Sequence, residues 1–177
     1  MVSSGDTDVT TARLEQQARV DMGVAVTLCG TYRHHIDDKG RVAIPAQLRR
    51  LLPEGSVVAP GPESRLMIWP PDQWAVQKEL FRRTAETPAQ ERRFMRWLTG
   101  NSSLLEIDTQ GRLLLSAPQR AFAQIVDQVV FVGLDTGVEV VADSLWQSEQ
   151  AELSPAEFTQ VWDLVHQRGT SASPSPA

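Results

Sequence analysis

A ten-residue pattern occurs twice in this chain and restricts its fold more than any other feature. IDDKGRVAIP, residues 36–45, returns as IDTQGRLLLS, residues 107–116, an offset of 71 positions. Ile, Asp, Gly and Arg keep their places, so Asp37-x-x-Gly40-Arg41 has its counterpart in Asp108-x-x-Gly111-Arg112. Asp suits the first position of a tight turn because its carboxylate accepts from nearby backbone N–H groups. Gly suits the last because it tolerates positive φ. One copy is a turn; two, with matching flanks, describe a duplicated unit.

The flanks repeat in order. Residues 31–36 are expected as a strand, and 41–44 as a second strand that closes a hairpin across the first turn. Pro45 is expected to open a short helix through about residue 52. Strands at 57–59 and 66–69 and a helix over 71–83, bearing Trp74, complete the half. In the second half, strands at 103–107 and 112–115 are expected to pair across the second turn. A short helix near 118–124 follows, with Arg120 aligned to Arg49. Then come strands at 129–132 and 138–141 and a helix bearing Trp146, 72 positions after Trp74. A linking helix over 88–98 is capped by Thr87 with Gln90 at its third position. Ser154-Pro155-Ala156-Glu157 has the form of a capping box for a terminal helix.

One half has too few strands to bury both faces of its hairpin, whereas two halves can close on each other. The expected fold is therefore α+β, a barrel-like core of pseudo-twofold character carrying two equivalent turns. The segments are an extension over 1–27, a first repeat over 28–84, a linking helix over 85–99 and a second repeat over 100–151. A C-terminal helix over 152–168 and a low-complexity, disordered tail over 169–177 complete them. Residues 1–10 have a disordered composition, 11–20 are expected as a short helix, and Met22 is a candidate translation start.

A chain of 177 residues suits one domain or two small ones. Its net charge of −5 is unevenly spread. Residues 30–52 hold five basic side chains (Arg33, Lys39, Arg41, Arg49, Arg50) against Asp37 and Asp38, while 134–163 hold seven acids and no Lys or Arg. Such asymmetry permits a basic face on an acidic protein, and local potential governs phosphate binding. A solvated charged surface is the plainer reading. The single Cys29 excludes an internal disulfide, fits a reducing compartment and, lying in an apolar run, is expected to be buried. The first twenty residues lack a basic start followed by a long apolar stretch, and 23–30 is too short to span a bilayer. A cytoplasmic protein is expected.

Enzyme signatures are missing: no G-x-x-x-x-G-K-[ST], G-x-G-x-x-G or G-x-S-x-G pattern occurs. His34-His35-x-Asp37-Asp38 gathers metal-ligand types, but adjacent strand residues point to opposite faces, and His166 is far along the chain. No catalytic residue, metal or cofactor is expected. The Asp-x-x-x-Arg spacing lets each turn hold its arginine in a fixed orientation, with donors left for phosphate oxygens or guanine edges. A salt bridge that only staples the turn is the alternative, worth little where exposed. The five tryptophans are not interleaved with basic residues and are expected to pack in the core.

Gly30-Thr31-Tyr32, Asp37-Asp38-Lys39-Gly40-Arg41, Ile44-Pro45, Trp69, Trp74, Gly100, Asp108-Thr109-Gln110-Gly111-Arg112 and Trp146 follow in order. This resembles the MraZ family of bacterial transcriptional regulators, related to AbrB-type swapped-hairpin barrels, over about residues 28–150. The resemblance implies a double-split β-α-β barrel assembled into ring-shaped homo-oligomers, often octamers. It also implies nucleoid-associated binding of double-stranded DNA at promoter direct repeats of the division and cell-wall gene cluster, with repression or activation as the result. Its DNA-contacting positions fall on Lys39, Arg41 and Arg112, with Arg33 beside the first copy, and Asp37, Asp108, Gly40 and Gly111 orient the motifs. The second copy departs from the first in having Gln110 for Lys39 and Leu115-Ser116 for Ile44-Pro45. The first copy is therefore expected to dominate phosphate contacts, with Arg112 in support. Two rivals stay open: a non-catalytic assembly scaffold using the same barrel, and a metal-dependent enzyme using His34, His35 and the nearby aspartates.

Overall fold

A computed structural model describes residues 28–152 and 154–170 of the chain. The expectations for 1–27, including the helix over 11–20 and the start at Met22, and for 171–177 lie outside the described residues. In order the elements are β1 (Cys29–His35), β2 (Arg41–Ala43), α1 (Ala46–Arg49), β3 (Val57–Pro60), β4 (Leu66–Trp69), α2 (Pro71–Thr84) and α3 (Pro88–Gly100). There follow β5 (Ser103–Leu104), β6 (Arg112–Leu114), α4 (Ala117–Phe122), β7 (Gln128–Leu134), β8 (Val138–Ala142), α5 (Asp143–Glu152) and α6 (Pro155–Thr170). The fold is α+β.

The expected hairpins do not form as ladders. Only the bridges Ile36↔Val42 and Ile107↔Leu113 close across the two turns. Beyond them the flanking strands part and find partners in the other half. β1 pairs antiparallel with β7 over seven residues, from Cys29↔Leu134 to His35↔Gln128, and β2 pairs with β6. A hairpin of three-residue strands buries little, whereas β7 offers a full-length partner with a buried face, so the longer ladder wins. The result is a six-stranded sheet, β1-β7-β8-β4-β3-β5, and a two-stranded ribbon, β2-β6.

Exchange of equivalent strands between the halves reverses the six-strand order and leaves it unchanged, so the pseudo-twofold axis crosses the sheet between β4 and β8. There Met67 pairs with its own counterpart Glu139. In the ribbon Val42 pairs with its counterpart Leu113, at the 71-residue offset. Both side chains are fully buried, as are Leu48, Val58, Leu66, Ile68, Leu115, Val129, Phe131 and Val140. Leucines and β-branched residues from both halves thus fill one core.

Caps set the helix starts. Thr87 Oγ1 accepts from Gln90 N at 3.1 Å while Gln90 Oε1 accepts from Glu86 N at 2.9 Å, opening α3. Ser116 and Gln119 form a full capping box on α4, which starts at Ala117. Ser154 and Glu157 cap α6 in the same manner. The helix after Pro45 is shorter than expected: Pro45 is its N-cap and α1 ends at Arg49.

Two burial expectations are corrected. Cys29 is exposed, because β1 is an edge strand and its outer end pairs with Leu134, itself exposed. The tryptophans do not fill the core. Trp69, Trp74 and Trp146 are half-buried, while Trp97 and Trp162 are 46% and 55% exposed, since α3 and α6 lie outside the sheet. Trp97 stacks edge-on against Phe122 of α4, ring centroids 5.6 Å apart.

Arg65 ties the halves together. Its guanidinium donates to Glu139 of β8 at 3.0 Å and to Glu149 of α5, and it lies 3.2 Å from Glu63. With Asp143 held by Arg33, three of the seven acids in 134–163 are neutralised by arginines of the first half.

Candidate nucleic-acid interface

The two turns agree contact for contact. Asp37 N donates to Arg41 O at 2.9 Å and Gly40 N to Asp37 O at 2.8 Å; the same bonds link Asp108 with Arg112 and Gly111, both at 2.9 Å. Asp37 Oδ1 accepts from the backbone N–H groups of Lys39 and Arg41 at 3.0 and 2.9 Å. Asp108 Oδ1 accepts likewise from Gln110 and Arg112, each at 2.9 Å. The other oxygen holds the side chain: Arg41 Nε donates to Asp37 Oδ2, and Arg112 Nε to Asp108 Oδ2, each at 2.8 Å. Nη2 of the same guanidinium lies 2.6 Å from the oxygen in the first turn and 2.8 Å in the second.

These bonds govern the protonation states. The Arg41 side-chain bond, with the backbone N–H of Arg41 behind it, holds the Asp37 carboxyl well below the usual range, at about 2. Asp108 is also lowered, first by the backbone N–H of Arg112 and then by its side chain. The hydrogen bond to Asp37 raises the Arg41 guanidinium in turn. Both turn carboxylates therefore stay ionised at neutral pH. The two staples also touch each other, since Arg112 Nη1 lies 3.8 Å from Asp37 Oδ2.

The ribbon decides where the arginines point. Side chains alternate along a strand, so with Val42 and Leu113 buried, Arg41, Ala43, Arg112 and Leu114 share the opposite face. The Arg41 and Arg112 side chains are 33% and 26% exposed. Each guanidinium carries five N–H donors; its own carboxylate engages Nε and Nη2, and of the remaining Nη1 groups that of Arg112 lies near Asp37 Oδ2.

Both turn glycines have positive φ, +81° at Gly40 and +78° at Gly111. A Cβ on Gly40 would lie 2.7 Å from the Leu115 carbonyl and 3.0 Å from Arg120 Nε. A Cβ on Gly111 would overlap Arg49 Nη1. The turns are also crossed by backbone bonds: Leu115 N donates to Gly40 O at 2.8 Å and Ile44 N to Gly111 O at 3.0 Å. Each turn thus rests on the opposite half.

Of the residues read as binding residues, Lys39, Arg41 and Arg112 come together at the paired turns, with Lys39 exposed at the first tip and Gln110 at the second. Arg33 does not join them. It lies on β1 opposite Val130, and its Nε donates to Asp143 Oδ1 at 2.6 Å, which lowers the Asp143 carboxyl. His34 packs edge-on against Phe131 and His35 is exposed. Among the described residues no three His, Cys, Asp or Glu side chains gather in a metal-binding group. Sequence reasoning missed Arg49 and Arg120 at this site. Their alignment at the 71-residue offset was legible, but not that each reaches the turn of the other half.

A family model described as "MraZ protein, putative antitoxin-like" matches the chain twice, over residues 27–97 and 98–167. A protein named transcriptional regulator MraZ from Desulfitobacterium hafniense is 37% identical over 133 residues, covering 72% of this chain and 93% of its own length. Proteins of the same name from Moorella thermoacetica and a Roseiflexus species are 37% and 38% identical. These cover 71% and 67% of this chain and 87% and 83% of their own lengths.

Proposed function

The chain belongs to the MraZ family, and on that premise we propose that it is a sequence-specific transcriptional regulator that binds double-stranded promoter DNA through its paired turns. The matched relatives carry the name transcriptional regulator. The observation that carries the DNA reading is the twin display of Arg41 and Arg112, each clamped by its own carboxylate on one exposed face of the ribbon. A clamped guanidinium loses little rotamer freedom on binding and keeps donors for a phosphate or a guanine edge. Lys39 adds a charge at the first tip that Gln110 cannot match at the second. The first turn therefore dominates phosphate contacts, Arg112 supports it, and Arg33 remains a flanking charge already partnered by Asp143.

The fold is read as a double-split β-α-β barrel, in line with its palindromic strand order, with repeats over 28–84 and 100–151 joined by a linker over 85–99. The protein acts without catalysis or cofactor, in the cytoplasm and on the nucleoid. No helix among the described residues is long and apolar enough to cross a membrane.

Several protomers act together, as a ring-shaped homo-oligomer with the octamer as its expected size, on direct repeats ahead of the division and cell-wall genes. Consecutive repeats raise the effective concentration for each weakly binding protomer. Two surfaces support self-association. α6 carries Phe158, Val161, Trp162 and Val165 exposed at helical spacing. A cleft of about 400 Å³ opens between the β3–β4 hairpin and α2–α3, lined by Met67, Trp69, Phe81, Phe94 and Trp97. Exposed Arg83, Arg92, Arg93 and Arg96 border this helix pair, with Arg82 paired to Glu79 and Glu91, whereas α6 carries Glu157 and Asp163 with Arg168 near its end. Seating α6 of one copy in the cleft of the next is a head-to-tail contact of the kind that closes rings.

The test is fluorescence anisotropy with DNA from upstream of the protein's own gene against scrambled DNA, across a salt series. Wild type is expected to bind the promoter tightly and to lose about 10³ to 10⁵ in affinity between roughly 50 and 200 mM salt if six to ten phosphates are contacted. Arg41→Ala/Arg112→Ala is expected to abolish the preference. Equal weak binding to both DNAs, unchanged in the variant, would instead favour the assembly-scaffold reading.

A further inference from the structure

We propose that Arg49 and Arg120 are a second pair of phosphate-binding guanidiniums, each presented at the turn of the opposite half and each taking a phosphodiester of the same duplex. The proposal rests on the DNA reading above and deepens it. It begins from the crossing itself. Arg49, the last residue of α1, lies against Gly111, and Arg120, in α4, lies against Gly40. The exchange obeys the pseudo-twofold axis, so four arginines surround the junction of the two turns.

Their charges are unequally answered. Asp37 and Asp108 are spent on Arg41 and Arg112. Among the described residues neither Arg49 nor Arg120 has a carboxylate within ion-pair reach, and Arg120 Nε is buried without a hydrogen-bond partner. With Arg41 and Arg112 each held by a carboxylate, the charges of Arg49 and Arg120 leave the junction net positive. A fold that served only to staple its turns would gain nothing from the second pair of charges. A phosphate brought to the exposed Arg49 and half-buried Arg120 answers the two charges that no carboxylate meets. Duplex DNA supplies closely spaced phosphates whose paired non-bridging oxygens accept from guanidinium groups.

The close approach also explains why both turns need glycine on the side facing the other half. Any side chain at Gly111 would occupy the place of the Arg49 head group. The glycines thereby admit the arginines as well as closing the turns.

Arg49→Gln/Arg120→Gln, which removes charge and keeps length, is compared with Arg49→Lys/Arg120→Lys and with wild type on promoter and scrambled duplexes across salt. The expected result is a salt slope reduced by about 2 for every protomer engaged in the Gln variant, at roughly 0.9 per lost contact. Binding should weaken equally on both sequences, because phosphate contacts carry no base information, and Lys should restore most of the slope. A merely structural role would alter the melting temperature and leave the slope per folded molecule unchanged. An unchanged slope in the Gln variant overturns the proposal, whatever happens to stability. Wild type lacking any salt-sensitive binding would instead remove the DNA reading itself.

Discussion

At Asp37 one carboxylate performs two tasks with separate oxygens: Oδ1 closes the turn through two backbone N–H groups, and Oδ2 holds the arginine. Every one of these bonds favours the ionised form, which is why the pKa falls to about 2. Because the folded value lies below the unfolded one, the staple's stabilisation is present above about pH 4 and is lost as pH falls through about 2. The ¹³C carboxyl resonance of Asp37 is therefore expected to stay flat from pH 7 to about pH 3.5 and to titrate near 2. A midpoint near the ordinary aspartate value would mean that the staple is not formed in solution. Protonation of Asp37 also contributes nothing to the pH dependence of DNA binding between pH 5 and 8.

The ribbon of β2 and β6 separates inside from outside within six residues. Leu113, on the axis opposite Val42, is fully buried, while its neighbour Leu114 is 57% exposed. Leu113→Ala removes a core side chain and leaves a cavity, so a loss of about 3 kcal/mol is expected in urea unfolding. Leu114→Ala should change stability by less than about 0.5 kcal/mol. Equal effects would show that the ribbon register is shifted by one residue, which would also carry Arg41 and Arg112 off their common face. The ribbon matters to function for that reason: its register, more than the turns alone, sets the direction of the guanidiniums.

Across the whole molecule the halves are interlocked rather than merely adjacent. β1 is completed by β7, β5 by β3, and Arg65 reaches two glutamates of the second half. What this leaves uncovered is the apolar side of α6 and the cleft beside α2–α3. Phe158→Glu/Trp162→Glu is expected to lower the oligomer mass in light scattering while far-UV circular dichroism stays the same, because neither side chain is buried within the protomer. Retention of the wild-type mass would place the subunit contact elsewhere. On the proposed ring reading, loss of the oligomer should also weaken promoter binding without changing contacts at a single repeat.

The duplication, both turns, most element positions, the capped starts of α3 and α6 and the identity of Arg41 and Arg112 as stapled arginines were legible in the chain itself. All of these are local: they depend on turn chemistry, apolar periodicity and capping within a few residues. Strand partners were not legible, because the same three-residue strand can pair with its neighbour or with its counterpart 71 positions away, and only the total buried area decides between them. The exposure of Cys29 and Trp162 follows from the edge position of β1 and the outlying position of α6, neither of which leaves a local mark. The crossing of Arg49 and Arg120 belongs to the same class. It exists only once two halves have closed about their axis, so the tertiary structure alone decided that four arginines, not two, meet at the turns.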